Sequence, residues 1–174
     1  YMGFGLRTEA GIIASIFHIF SHAASKSMLF ISAVGLTDVS GKSKKFLDLT
    51  GAGYRNVIAG ITFTVGALSM VGVPLFPGFI SKILFARAGV SVTLNRMLPT
   101  LICLAVSTIL NTVYFMKTVL RIYTPVKTDY KNIKWKENLS CSIVCIFFII
   151  LNIALGMYSE PIVELIQSGI AMFA

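Results

Sequence analysis

Near the start of the chain, three residues capable of proton chemistry fall on one stripe. His18, His22 and Lys26 follow one another at i, i+4 and i+8, a spacing that on a helix drifts only about 80° around the axis over roughly 12 Å of rise. Ser25 shares that face. Imidazoles titrate near neutrality, so they can pick up and release protons in the physiological range. Joined by water to an amine, they could pass a proton along. Polar residues of this kind can also serve only to glue helices together, but two histidines and a lysine in one register favour transfer. A zinc reading is weaker. His18 and His22 have HxxxH spacing, but Ile19 stands where a metalloprotease needs its glutamate. No metal ligands and no catalytic residues for covalent chemistry are assigned.

A second constellation lies further on, in Gly72-Val73-Pro74-Leu75-Phe76-Pro77-Gly78. Pro74 cannot donate to the carbonyl of Met70, nor Pro77 to that of Val73. Two prolines between Gly72 and Gly78 predict a helix broken near 72–78 rather than bent. Interrupted helices of this kind mark ion and substrate sites in membrane transporters. Lys82 falls early in the second half-helix, where the positive end of the helix dipole disfavours an ammonium. The plainer alternative is a kink that serves packing, with Lys82 snorkelling outward. Lys117 is a further candidate for the polar path, although it and Arg121 can reach an interface with their long stems.

The elements that must position these groups follow from the charge pattern. Residues 56–81, 97–116 and 138–159 contain no charged side chain, and a fourth apolar run, roughly Ala10 to Thr37, is interrupted only by Lys26. Runs of about twenty apolar residues read as membrane helices. The expected spans are 10–37, 57–88 (broken near 72–78), 97–122 and 139–159, within a single membrane domain over 1–174. Residues 160–174 are expected to form a short interfacial helix. The fold class is therefore an all-α polytopic membrane helix bundle. Solid apolar runs argue against a barrel, whose strands alternate over about ten residues.

Composition excludes the competing classes. Of 174 residues, 56% are hydrophobic and only 13% charged, half the roughly 25% usual for a soluble domain. Disordered chains are polar and poor in aromatics, and no collagen period is present. The net charge of +8 would suggest nucleic acid in a soluble protein. Here the basic residues crowd into two polar connections, so nucleic acid is not an expected partner. Cys103, Cys141 and Cys145 lie in apolar runs and form no CxxC, so they read as small hydrophobes. The chain opens on Tyr1 in mid-pattern, as a piece of a longer protein would.

The connections set an orientation. The first carries Lys42, Lys44, Lys45 and Arg55, and the third carries Arg121, Lys127, Lys131, Lys134 and Lys136, whereas the second holds only Arg87 and Arg96. Connections one and three fall on one side of a four-span bundle. The positive-inside rule therefore puts 38–56 and 123–138 on the cytoplasmic or matrix side. The sequon Asn138-Leu139-Ser140 would lie at that edge and reads as chance. Lys26 sits near the middle of its span, where a lysine costs about 2.5–3.5 kcal/mol on insertion scales, against about 0.3–0.6 kcal/mol gained per Leu, Ile or Phe. Such a residue is a functional hypothesis by default. No acidic residue occurs within a span, so counter-charges are expected from helices outside this chain.

These residues form a recognisable pattern. Ile16-Phe17-His18-Ile19-Phe20-Ser21-His22-Ala23-Ala24-Ser25-Lys26-Ser27-Met28-Leu29-Phe30 resembles the HxxxHxxxKxxLF helix of the antiporter-like membrane subunits of respiratory complex I (NADH-quinone oxidoreductase), which are related to Mrp antiporters and membrane-bound hydrogenases. Gly66 to Lys82 resembles the broken helix that follows it in that family. The resemblance implies the C-terminal part of a fourteen-helix fold built from inverted repeats. It implies a proton-translocating role, with Lys26 and Lys82 at the lysine positions of the second half-channel and His18 and His22 as the relay. It also implies a cell membrane or inner mitochondrial membrane location, and partners among the other membrane subunits of a multisubunit complex. The chain ends at Ala174 without the long lateral helix of the largest complex I subunit, so a shorter subunit or an Mrp D-type subunit is expected.

Redox chemistry would belong to other subunits, since no flavin, nicotinamide or iron–sulfur motif is present and no cofactor is expected in this chain. The expected cargo is protons or sodium ions. A secondary transporter for a small solute is the competing class, but around the break the sequence offers chiefly Leu75, Phe76 and Phe79. A structural scaffold is the third class, and the embedded lysines count against it.

Overall fold

The computed structural model describes residues 2–43, 45–125 and 139–172. The elements run α1 (Met2–Gly5), α2 (Glu9–Asp38), a 3₁₀ turn (Phe46–Leu49), α3 (Ala52–Arg55), α4 (Val57–Val71), α5 (Pro77–Val90), α6 (Leu94–Ile122), α7 (Leu139–Met157) and α8 (Ser159–Ala171). The described residues contain no strand. Three of these helices, α2, α6 and α7, are long and apolar enough to cross a membrane. The fold is an all-α polytopic bundle.

The central element is α2, which packs against α4, α5, α7 and α8. It starts at Thr8, whose hydroxyl accepts a hydrogen bond from the Gly11 N–H at 3.1 Å, satisfying one of the free donors of the first turn. Leu29 and Leu36 of α2 meet Ala59, Phe63 and Ala67 of α4 and Phe115 and Ile122 of α6 in the apolar core. Asn56 joins two of these helices: its amide oxygen accepts from the Ala59 N–H and caps α4, while its Nδ2 donates to the Gly35 carbonyl of α2, both at 3.2 Å. The outer faces are apolar as well. Ile102, Ile109 and Val113 of α6 and Ile143, Phe147 and Ile150 of α7 are exposed, surfaces suited to lipid or neighbouring helices rather than water.

The first basic connection packs on the end of α6. The Gly51 N–H donates to the Arg121 carbonyl at 3.4 Å, and the Arg121 guanidinium lies over the Phe46 ring at 5.7 Å. Arg55 closes the connection by donating to the carbonyls of Val39 and Thr50 at 2.7 and 3.1 Å. The first connection thus packs against the C-terminal end of α6. From residue 126 to residue 138 the third connection, with its lysines and the Asn138 of the sequon, lies outside the described residues, as do residues 173 and 174 of the tail.

The interruption is built from particular residues. At the end of α4, Gly72 takes φ +90°. Its N–H bonds to Ser69 at 3.1 Å and the Val73 N–H bonds to Leu68 at 3.0 Å, the paired closing bonds of a Schellman motif. Pro77 and Gly78 lie inside α5 rather than in the break, because a proline at the first helical position lacks an N–H that would be unpaired there anyway. The unwound stretch is therefore 72–76. Leu75 within it holds φ +93°, a region that bulky residues rarely occupy. Two glycines let neighbours close on this stretch. A Cβ on Gly78 would run into the Ser69 carbonyl, and one on Gly156 of α7 into the Leu75 carbonyl.

Candidate functional site

The ladder on α2 faces the interruption. His18, His22, Ser25 and Lys26 line a cavity of about 430 Å³ together with Ser69 from the end of α4 and Ser81 and Lys82 from α5. A third wall comes from α6 through Cys103, Ser107, Asn111 and Tyr114. The four titratable candidates therefore border one space.

Local contacts fix each group. The His18 and His22 rings stand 5.3 Å apart between centroids, and Phe85 of α5 meets His18 edge-on at 5.5 Å. His18 Nδ1 and the buried Ser81 hydroxyl share a 2.8 Å hydrogen bond whose direction follows the imidazole tautomer. The partly buried Lys26 ammonium lies 6.0 Å over the ring of Phe115, a cation–π arrangement that stabilises a desolvated charge by up to about 2 kcal/mol. Beside it, Ser25 and Ser69 hydroxyls are 2.9 Å apart, joining α2 to α4.

Lys82 departs from the dipole expectation. Its ammonium turns away from the positive start of α5 and donates to the Val71 carbonyl, at the negative end of α4. The interruption places both helix ends within reach of one side chain, and the amine takes the end that favours it. Lys82 also lines a second cavity of about 530 Å³ between α5 and α6, bordered by Phe79, Ile83, Leu101 and Thr108. It thus stands between the space that the ladder borders and a second, more apolar one.

Lys117 is not brought into this group. It is exposed and lies over Phe46 at 5.7 Å, at the end where the first connection packs on α6. Gly72 and Gly78 do border the polar or the apolar cavity, whereas Pro74 is exposed in the unwound stretch. Pro77 is buried.

Comparison with known proteins decides what kind of bundle this is. The family model described as NADH:quinone oxidoreductase/Mrp antiporter, transmembrane, matches residues 1–123. The chain belongs to this family. Its match covers all of α1 to α6, and with them every residue that lines the polar cavity. Among relatives of this antiporter family, Na(+)/H(+) antiporter subunit A1 of Staphylococcus epidermidis is 37% identical over 124 residues, 66% of this chain. The uncharacterized protein MJ1309 of Methanocaldococcus jannaschii is 30% identical over 164 residues, 91% of the chain. NADH-ubiquinone oxidoreductase chain 5 of Pelomedusa subrufa is 24% identical over 155 residues, 87% of the chain. The chain spans only 15%, 32% and 25% of the length of these three relatives. It is an antiporter-like membrane protein of the proton-translocating Mrp and complex I family.

Sequence reasoning passes over several polar residues of the site. Ser69, Ser81 and Asn152 lie in runs that read as apolar because they carry no charge, yet all three are buried and hydrogen-bonded. A search for buried neutral donors beside the ladder, rather than for charges, would find Ser69 and Ser81.

Proposed function

We propose that this chain forms one ion-transfer half of a larger antiporter-like subunit, moving protons along Lys26, His22 and His18 to Lys82 at the interrupted helix. The observation that carries this is the shared cavity: the ladder of α2 and the lysine of α5 border one space although they are 56 positions apart at Lys26 and Lys82. Serines and imidazoles between the lysines can hold water and hand on protons, and none of these residues supplies redox chemistry. The driving reaction is assigned to other subunits of the assembly. The embedded cations and the exposed apolar faces of α6 and α7 support such partners.

The assembly itself has two candidates. A complex I-type NADH-quinone oxidoreductase is supported by the likeness to a chain of that name. A Na⁺/H⁺ antiporter is favoured by the greater identity to an antiporter subunit A1. A membrane-bound hydrogenase is the further member of the same group. In each, the charge pattern assigns the basic connections 38–56 and 123–138 to the cytoplasmic or matrix side. The membrane is that of a prokaryotic cell or the inner mitochondrial membrane.

The test is ion flux in closed membrane vesicles carrying the intact assembly. Acidification on adding NADH alone supports the respiratory form, and proton movement on imposing a sodium gradient supports the antiporter. Flux of neither ion, with uptake of an organic solute instead, overturns the proposal in favour of a solute carrier.

A further inference from the structure

A buried amide stands behind the cavity wall. Asn152 of α7 has no exposed surface. Its Nδ2 donates to the Ser25 Oγ at 3.2 Å, and the Ser25 Oγ is in turn 2.9 Å from the Ser69 Oγ. Its own Oδ1 is buried and accepts no hydrogen bond among the described residues. A chain of three polar groups therefore runs from α7 through α2 to α4, and its two hydroxyls line the cavity next to Lys26.

The chemistry of these groups restricts what they do. A serine hydroxyl has one proton to give and rotates freely unless something fixes it. Because Ser25 accepts from Asn152, its proton is free to go to Ser69, which leaves the Ser69 proton to point elsewhere. Reversing the amide would reverse the sequence of donors and acceptors. Burying an amide with an acceptor left over is unfavourable in an apolar interior, so the hydrogen bond its donor makes must offset that cost. The amide ties α7 to α2 by an interhelical hydrogen bond, and the same donor also sets which way the Ser25 proton can turn.

We infer that Asn152 is a positioning residue for ion transfer, fixing from α7 the direction of the Ser25 and Ser69 hydroxyls beside Lys26. Among the described residues its side-chain hydrogen bond goes to Ser25, not to a lysine or histidine. Its effect passes through the two serines, which present their oxygens or protons to water in the cavity. The inference rests on the proposed transfer role of Lys26.

The experiment uses vesicles with the full-length protein in its intact assembly, and measures flux across a range of pH together with the amount of assembled complex. Asn152→Leu is expected to lower flux about fivefold or more at unchanged assembly. Ser25→Ala and Asn152→Leu together should be no worse than either alone. Asn152→Asp, which can donate only when protonated, should recover flux on the acidic side and displace the pH profile. If Asn152→Leu does not assemble, Ser25→Ala and Ser69→Ala decide: each must lower flux, and the pair must be no worse than one. Normal flux and pH profile in Asn152→Leu, or in both serine variants, overturns the inference, as does full additivity. Lys26→Ala separates the two levels. If it stops flux while Asn152→Leu does not, only the role of Asn152 fails. If Lys26→Ala transports normally, the transfer reading itself has failed.

Discussion

The Lys82 side chain lies against Gly72, across the interruption between α4 and α5. A Cβ at position 72 would stand 2.9 Å from Lys82 Cδ and 3.0 Å from its Nζ, and Gly72 is held at φ +90°. The glycine thus serves the turn and the amine at once: it closes the end of α4 and leaves room for the ammonium to reach the Val71 carbonyl. Gly72→Ala is expected to destabilise the protein by about 1 kcal/mol or more, since alanine at positive φ is strained. It should also displace Lys82 and lower flux several-fold. Gly169→Ala, where a Cβ meets nothing within 4 Å, should change neither. Thermal denaturation of the solubilised assembly, read beside vesicle flux, checks both variants.

Gly78 has a different role, at the contact between the two half-helices. With the Ser69 carbonyl in the place a Cβ would take, Gly78→Ala must push α5 off the end of α4. Overpacking of this kind costs about 1–3 kcal/mol. The expected outcome is a lower melting temperature and less assembled protein in membranes, measurable by immunoblot. Full assembly at wild-type stability would show that the two half-helices do not meet at Ser69.

Ser81 and His18 should act as one unit. Removing the hydroxyl by Ser81→Ala frees the imidazole from its 2.8 Å partner, and flux is expected to fall about two- to fivefold. In a His18→Ala background the same change should have little further effect, because coupled residues are non-additive. Independent, multiplying effects in that cycle would separate the serine from the histidine.

Cys103 offers a native reporter of the space. It lines the polar cavity, whereas Cys145 is 1% exposed on α7. A small, charged, water-soluble thiol reagent is expected to label Cys103, to spare Cys145, and to inhibit flux. Cys103→Ala should transport and resist the reagent. Inhibition that persists in Cys103→Ala would place the sensitive thiol elsewhere.

Lys117 provides the negative control. Over Phe46 at 5.7 Å, its exposed cation contributes about 0.5–1 kcal/mol at most, and it does not border the cavity. Lys117→Ala should leave flux within about twofold of wild type. A loss as large as that of Lys26→Ala would bring it into the path.

Much of this arrangement is legible in the amino-acid sequence. Charge-free runs announce the all-α membrane bundle, because a charge in hydrocarbon is costly enough to be rare. The one lysine that breaks such a run therefore stands out, and the i, i+4 register of His18, His22 and Lys26 follows from helix geometry alone. What stays hidden depends on contacts between helices. Asn152 sits between Leu151 and Ile153 and carries no charge, so nothing local marks it as the partner of Ser25. The direction of Lys82 is equally concealed. Sequence places it at the start of α5, but only the closed turn at Gly72 brings the end of α4 within its reach. Pro77 likewise reads as a breaker by type, and its place at the first position of α5 depends on where the preceding turn ends.

The most direct measurement is proton flux in vesicles bearing the intact assembly with Lys26 replaced by alanine, at matched amounts of assembled complex. Ammonium, imidazoles and Lys82 around one cavity predict that flux is lost while assembly is kept. Coupled transport at the wild-type rate would contradict the account.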